Sequence, residues 1–168
     1  MKQLYLIRHG EVHNPHQVEY RRLPGYHLSD NGKKEVLTTA NLLADIPLQH
    51  MWVSPLERTL ETANLINEYH HLTPVLDERI IEWGDGEKPE EVKIRMLGFI
   101  ADWKKAPFEV SAVVSHRDPI RELLFALEDR PSWPGMQDLN NYPLPTAGVY
   151  VVEYGENGIS VHSFMNRI

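Results

Sequence analysis

Three short clusters of histidine, arginine and serine in this sequence suit phosphoryl chemistry. They are Arg8-His9, Ser54 through Arg58, and Ser115-His116-Arg117, and each directly follows a short apolar run. The guanidinium group of arginine carries N–H donors in a forked arrangement that matches phosphate oxygens. The first residues of a helix have unpaired N–H groups that attract anions. A neutral imidazole can also attack phosphorus. If the clusters meet in the fold, we expect them to form an anion site with a histidine nucleophile.

The elements between these clusters predict that they do meet. Apolar runs typical of buried strands occur at 4–7, 50–53 and 110–114, and apolar residues recur at helical spacing at 36–44, 56–66, 92–103 and 120–127. Strands alternating with helices indicate a largely parallel sheet with helices on both faces, and a closing hairpin at 148–164 adds an antiparallel edge. Ligands bind beyond the carboxyl ends of such strands, so we expect the clusters on one rim.

Serines are predicted to begin several of the helices. Ser29 is the expected N-cap of the first helix. Ser54 is followed by Pro55 and, three residues after the serine, by Glu57, which is the pattern of a capped helix start. Ser115 is also predicted to cap a helix. Its alternative role, a nucleophile with His116 as base, is disfavoured because adjacent residues on an extended segment point to opposite sides.

The composition excludes several other classes of protein. A length of 168 residues fits one domain, 1–168, and the absence of cysteine excludes disulfide scaffolds, zinc–thiolate sites and cysteine nucleophiles and suits a reducing cytoplasm. The balance of 17 Lys and Arg against 24 Asp and Glu argues against a nucleic-acid groove. No stretch approaches the roughly 20 apolar residues of a membrane span. We expect no metal, because the nearby His9, His13 and His16 do not lie on a helix that could pair ligands.

Longer motifs around the clusters resemble the histidine phosphatase superfamily, the phosphoglycerate mutase-like proteins, in its small phosphatase branch. The matching motifs are LIRHGEVHN and RRLPGYHLSDNG within 4–32, VSPLERTLETA within 52–63, and VVSHRDPIRELL within 112–124. The resemblance implies an α/β fold, a three-layer α/β/α sandwich with a mostly parallel mixed sheet. It also implies a phosphohistidine enzyme intermediate and no cofactor.

The resemblance also implies roles for individual residues. His9 matches the nucleophile, and the residues that match the phosphate cradle are Arg8, Arg58, His116 and Asn14. Asn14 lies five residues after His9, where many relatives have six. Gly10 suits a tight turn in which a backbone carbonyl orients the imidazole.

Glu82, in LDERIIEWG, best matches the general acid of the family, with Glu78 as the second choice. Apolar neighbours such as Ile81 and Trp83 would keep the proton on Glu82 near neutral pH, so that it protonates the leaving group and later deprotonates water. The alternative is that Glu82 is a solvated loop carboxylate.

Two further arginines are candidate contacts to the substrate, namely Arg22 and Arg117. Many relatives have glycine where this sequence has Arg117. We hypothesise that Arg117 adds a cation at the pocket edge and favours substrates with a second acidic group. The alternative is that its side chain points outward from the helix start.

The favoured function is a metal-independent phosphatase that hydrolyses a small phosphorylated metabolite through a phosphohistidine on His9. Mutases of this family carry longer insertions that exclude water, and the 77–110 stretch leaves little room for a lid. The remaining alternatives are a phosphoglycerate mutase-type phosphotransferase, a protein phosphohistidine phosphatase and a phospho-ligand binding module that has lost turnover. The sequence predicts no oligomeric state.

Overall fold

The fold is built on a mixed sheet. The computed structural model describes residues 1–131 and 142–164. Its strands are β1 (Lys2–Arg8), β2 (His50–Val53), β3 (Val75–Leu76), β4 (Val110–Ser115), β5 (Val149–Gly155) and β6 (Gly158–Ser163). They form one sheet in the order β3-β2-β4-β1-β5-β6. Strands β1 to β4 run parallel, and the β5–β6 hairpin joins β1 in antiparallel orientation, as the sequence predicts.

Helices cover both faces of this sheet. They are α1 (Asp30–Leu43), α2 (Glu57–Asn67), α3 (Pro89–Lys105) and α4 (Arg117–Leu127), with a 3-10 turn at Glu78–Ile80. The alternation along β1 divides the core in two: Leu4 and Leu6 pack with α3 and α4, whereas Tyr5 and Ile7 pack with α1 and α2. The predicted three-layer α/β/α sandwich is confirmed. In the described ranges, no helix is both long enough and apolar enough to cross a membrane.

The strand register places the polar clusters on one rim. Arg8 at the end of β1 pairs with Ser115 at the end of β4, and Val53 at the end of β2 pairs with Val114. The three parallel strands therefore end at the same level. The residues that follow them share one edge of the sheet, as expected from the order of strands and helices.

Two of the three predicted serine caps are wrong. Ser29 does cap α1, because its side chain accepts a hydrogen bond from the N–H of Gly32. However, α2 begins at Glu57 with Leu56 at its cap position, and the Ser54 hydroxyl bonds to His116 instead. The Ser115 hydroxyl donates to the carbonyl of Ile80 at 2.6 Å. In both cases the serine hydroxyl, which the local pattern predicts to cap the helix, instead forms a hydrogen bond with a residue distant in sequence.

A close contact between two glycines fixes α1 against the rim. A Cβ atom on Gly32 would lie 2.1 Å from the carbonyl oxygen of Glu11, and one on Gly10 would lie 2.7 Å from the carbonyl oxygen of Gly32. Gly10 has no positive φ angle. The glycine at this position therefore permits close packing of two backbones, rather than the special turn that the sequence suggests.

Candidate active site

The two histidines of the rim lie side by side. His9 follows β1 and His116 follows β4, so the pairing of Arg8 with Ser115 brings them together. Their ring centroids are 5.3 Å apart with the planes inclined by 62°. The N–H of His9 donates to the carbonyl of Ser115 at 3.1 Å, and the carbonyl of His9 accepts from Ala147 at 3.0 Å. The backbone that carries His9 is therefore held from both sides by neighbouring chain.

The His9 ring is oriented and uncharged. Its Nδ1 lies 2.7 Å from the carbonyl oxygen of Gly10, the carbonyl contact anticipated from the sequence. Because a carbonyl only accepts, the proton sits on Nδ1 and the lone pair on Nε2. Burial lowers the pKa of His9 to about 3, the Gly10 hydrogen bond opposes this shift, and the charges of Arg58 and Arg8 add to it. At neutral pH, His9 is thus a neutral imidazole with a nucleophilic nitrogen.

The two arginines beside His9 have donors to spare. Arg58, in the first turn of α2, is fully buried, and its Nη2 donates to the carbonyl of Arg21 at 2.6 Å. Arg8 donates through Nη1 to the carbonyl of Leu144 at 2.8 Å. Among the described residues, Arg8 Nε, Arg58 Nε and Arg58 Nη1 have no hydrogen-bond partner. Burial lowers the pKa of both groups, but a guanidinium stays charged, so these donors are suited to an oxyanion.

The His116 ring contacts Ser54 and Glu82. Its Nε2 lies 2.7 Å from the hydroxyl of Ser54, and its Nδ1 lies 3.6 Å from Glu82 Oε2. The ring is fully buried, and burial, followed by the neighbouring His9 ring and the charge of Arg58, holds the pKa of His116 well below the ordinary value. A buried neutral imidazole in this position can donate or accept a hydrogen bond at a bound phosphoryl group.

Glu82 brings a carboxyl group into the same site. Its Oε2 lies 3.8 Å from Arg58 Nη2, and its side chain is 15% exposed, so it is not the solvated loop carboxylate of the alternative interpretation. Burial raises its pKa; the N–H of Trp83 and the charge of Arg58 oppose the rise, and the charge of Asp118 adds to it. Glu78, the second choice, is exposed. Of the two candidate carboxyl groups, Glu82 is therefore the one that lies beside Arg58 and His116.

A cavity of about 700 Å³ opens beside Arg8, His9 and Glu82. Its lining residues are Arg8, His9, Val18, Glu19, Tyr20, Arg21, Glu82, Trp83, Pro89, Arg117 and Asp118. Arg117 lies at the edge of this cavity, and its Nε donates to Asp118 at 2.9 Å. Within residues 1–131 and 142–164, no three histidine, aspartate or glutamate side chains are grouped to hold a metal ion.

Comparison with known proteins identifies the family. The model of the histidine phosphatase superfamily (branch 1) matches residues 4–87 and 83–167. The chain belongs to this superfamily. Phosphoserine phosphatase 1 of Hydrogenobacter thermophilus is 29% identical over 76% of this chain and 76% of its own length. The structure of phosphoserine phosphatase from Entamoeba histolytica superposes with a TM-score of 0.80 and 17% identity over 97% of this chain and 96% of that one, which shows the shared fold.

A further relative is similar over a shorter region. The uncharacterised protein Rv0525 of Mycobacterium tuberculosis is 44% identical over 80 residues, which are 48% of this chain and 40% of that protein. The matched region therefore covers less than half of that relative.

Two candidate residues of this histidine phosphatase superfamily member lie away from the cavity. The Asn14 side chain forms two hydrogen bonds within its own loop. Its Oδ1 accepts from the N–H of Val18 at 3.0 Å, and its Nδ2 donates to the carbonyl oxygen of Val18 at 2.8 Å. Arg22 donates to the carbonyl of Glu82 at 2.6 Å and pairs with Glu87 at 3.2 Å. Both side chains are bound within loops and neither lines this cavity, so a phosphate contact from Asn14 and a substrate contact from Arg22 stay predictions.

Sequence reasoning missed the aromatic cover of the site. The Tyr20 ring lies 4.8 Å from the Arg58 guanidinium carbon and stacks on Tyr26, also at 4.8 Å. It missed Thr62 as well, whose hydroxyl accepts from the N–H of Gly10 at 3.1 Å and donates to the carbonyl of Arg58 at 2.7 Å. A tyrosine in an irregular loop gives no periodic signal. Thr62, in contrast, lies one helical turn after Arg58 within a quoted motif, so its spacing could have indicated this link.

Proposed function

We propose that this protein is a phosphatase that hydrolyses the phosphomonoester of a small metabolite through a phosphohistidine on His9. The observation that supports this most directly is the neutral His9 ring, with its Nε2 lone pair free, beside the unpaired donors of Arg8 and Arg58. Such an arrangement favours a group that is both electrophilic and anionic, and a phosphoryl group is both.

In the first step, His9 Nε2 attacks phosphorus and the bond from phosphorus to the ester oxygen breaks. Arg8, Arg58 and His116 stabilise the charge on the three non-bridging oxygens, which is the main contribution that a protein makes to phosphoryl transfer. Glu82 donates its proton to the departing oxygen, so the product leaves as a neutral alcohol. The raised pKa of Glu82 keeps that proton available.

In the second step, a water molecule attacks the phosphorus of phospho-His9. The Glu82 carboxylate, deprotonated by the first step, takes a proton from that water. The bond from nitrogen to phosphorus breaks, inorganic phosphate leaves, and both His9 and Glu82 return to their starting protonation states. The open cavity beside His9 gives water access, and this favours hydrolysis over transfer of the phosphoryl group to a second substrate.

We infer that the substrate is small and carries a second acidic group. A cavity of about 700 Å³ suits a metabolite, and Arg117 at its edge uses only Nε on Asp118 among the described contacts, which leaves its outer nitrogens for a carboxylate or phosphate. The Hydrogenobacter relative is named for phosphoserine, which has such a group. The absence of cysteine favours a cytoplasmic location.

The test of the activity is a screen of phosphorylated metabolites, followed by acid quenching to detect labelled phosphohistidine. We expect turnover and a labelled intermediate with the wild type, neither with His9→Ala, and full activity after treatment with chelators. Inhibition by chelators that a divalent metal reverses would instead indicate a metal-dependent phosphoesterase. Binding of vanadate without turnover on the whole panel would indicate a binding module.

The test of the substrate class is Arg117→Ala, with Arg130→Ala as a matched control away from the cavity. We expect Arg117→Ala to lower kcat/KM at least 10-fold more for phosphoesters with a second acidic group than for those without one. Arg130→Ala should leave that ratio unchanged. Equal losses for both kinds of substrate would contradict the assignment of Arg117 to the leaving group.

A further inference from the structure

Glu82 is held chiefly through its main chain. Its carboxyl oxygen Oε1 accepts a hydrogen bond from the N–H of Trp83 at 2.8 Å, but this contact is local. Its carbonyl oxygen accepts from Arg22 Nε at 2.6 Å and, at 3.4 Å, from Arg95 Nη2. Arg22 belongs to the loop before α1, and Arg95 lies in α3. The location of the carboxyl group therefore depends on two arginines that are remote in sequence.

Glu87 joins these two arginines. Its Oε1 accepts from Arg95 Nε at 2.7 Å, and its Oε2 accepts from Arg95 Nη2 at 3.1 Å, so the Arg95 fork is bound through two nitrogens. The same Oε2 accepts from Arg22 Nη2 at 3.2 Å and from the N–H of Gly84 at 3.0 Å. A bidentate pair of this kind fixes orientation as well as distance.

The pair formed by Arg95 and Glu87 is largely shielded from solvent. The side chains of Arg95 and Glu87 are 15% and 16% exposed. Although burial raises the pKa of Glu87, the hydrogen bonds from Arg95 and Gly84 outweigh it, and the pKa of Glu87 is lowered. Glu87 is therefore a carboxylate at neutral pH and faces the guanidinium of Arg95. Breaking such a shielded pair is costly, because the remaining partner keeps an uncompensated charge.

The chain from Glu82 to Glu87 is folded tightly around this network. The Trp83 indole Nε1 donates to the carbonyl of Glu87 at 2.6 Å, which closes the segment into a loop. A Cβ on Gly84 would lie 2.9 Å from the Arg22 guanidinium carbon, so glycine allows Arg22 to reach the loop. Arg95 Nη1 also donates to the carbonyl of Arg79 at 2.6 Å, which anchors the segment just before the loop.

We propose that Arg22, Glu87 and Arg95 form a clamp that positions Glu82 for proton transfer to the leaving group. These three are positioning residues, since they act through the Glu82 main chain and do not line the surface beside His9. Arg22 therefore serves the acid and not the substrate. This inference rests on the proposed phosphatase function.

The experiment compares two leaving groups. An alkyl phosphate needs a proton on its departing oxygen, whereas p-nitrophenyl phosphate releases a stable anion and needs little help from an acid. kcat/KM reports the steps up to departure of the alcohol, which makes it sensitive to Glu82 in its role as acid. We expect Glu87→Gln and Arg22→Met to lower kcat/KM at least 10-fold for glycerol phosphate and less than 3-fold for p-nitrophenyl phosphate, a fraction of the roughly 100-fold or more that a general acid contributes.

Matched controls separate positioning from general damage. Glu90→Gln removes the same charge from an exposed position in the first turn of α3, and it should leave both rates unchanged. Arg95→Lys keeps a positive charge but loses the fork, so it should recover part of the activity on the alkyl substrate that Arg95→Met loses. Arg22 is 40% exposed, so Arg22→Met should fold even if a variant of the buried Arg95 does not.

A double variant tests whether the clamp acts through Glu82. Once Glu82→Gln has removed the acid, adding Glu87→Gln should cause no further change in the ratio of the two rates, because the two substitutions act on one step. A wild type that hydrolyses both substrates, together with clamp variants that lower both rates equally, would overturn the clamp and leave the phosphatase function standing. A wild type without turnover on either substrate or on the metabolite panel would instead remove the function on which the clamp rests.

Discussion

Replacing Gly32 by alanine is expected to destabilise the protein and slow catalysis, although Gly32 lies in α1 and lines no part of the cavity. The new Cβ would be 2.1 Å from the Glu11 carbonyl oxygen and 2.8 Å from the Glu11 nitrogen. Unstrained non-bonded atoms lie about 3.5 Å apart, so the backbone must retreat by about 1 Å. Glu11 is two residues from His9, and the strain therefore reaches the nucleophile.

The size of the effect follows from two known costs. Overpacking a filled site costs about 1–3 kcal/mol, and for a chain of this length each kcal/mol lowers the melting temperature by about 2–4 °C. A displacement of about 1 Å at a reacting group can reduce the rate about 100-fold. We therefore expect the melting temperature of Gly32→Ala to fall by several degrees, and its kcat to fall about 10- to 100-fold.

Gly98→Ala in α3 is the matched control. A Cβ on Gly98 would have no heavy atom within 4 Å outside its own helix backbone and chain neighbours. Alanine stabilises a helix interior by about 0.5–1 kcal/mol relative to glycine. Calorimetry should therefore show a small rise in melting temperature for Gly98→Ala and a fall for Gly32→Ala. A Gly32→Ala protein that melts at or above the wild-type temperature with full activity would refute the close-packing argument.

Four other predictions concern protonation and side-chain hydrogen bonds. Because the pKa of Glu82 is raised and its acid form acts first, kcat/KM for an alkyl phosphate should fall as pH rises through that pKa, and Glu82→Gln should remove this limb of the profile. Burial lowers the pKa of His9 from 6.5 to about 3. Between pH 6.5 and 3, the His9 imidazole is therefore protonated in the unfolded chain but not in the folded protein. Stability should therefore fall as pH falls from 6.5 towards 3, with a shallower slope in urea titrations of His9→Asn. Ser54→Ala, which leaves the buried Nε2 of His116 without its 2.7 Å partner, should cost about 1–3 kcal/mol in urea unfolding and lower kcat. Lys2→Met should cost about 1–3 kcal/mol as well, because the part-buried carbonyls of Trp103, Ala106 and Phe108, at and just after the end of α3, would lose the Lys2 ammonium as a charged donor.

The layered fold could be predicted because it depends on patterns that are local in sequence. The apolar runs of β1 and β4 result from burial on both faces of the sheet. The helical spacing after Ser29 results from burial of one face of α1. The common rim then follows from the parallel order of the strands. This is why His9, Arg58 and His116 could be placed together from sequence.

The wrong predictions of helix caps concern side chains that form a hydrogen bond with a residue distant in sequence. Ser54 has the local pattern of a helix cap, but the hydroxyl bonds to His116, which is brought there only by the pairing of β2 with β4. Ser115 is likewise predicted to cap a helix, but its hydroxyl donates to the carbonyl of Ile80 at 2.6 Å. Such contacts depend on the tertiary fold, so they cannot be predicted from the spacing of residues along the chain.

The loop that carries Tyr20 and Arg21 has a consequence for how this scaffold can diversify. Two α2 carboxylates hold the following segment: Glu57 accepts from the N–H of Gly25 at 2.9 Å, and Glu61 accepts from that of Leu28 at 3.0 Å. Part of the cavity wall is thus carried on an irregular loop, whereas His9, Arg58 and His116 lie at strand ends and a helix start. Substitution in this loop can change which ligands fit the cavity while the geometry of these three side chains is kept.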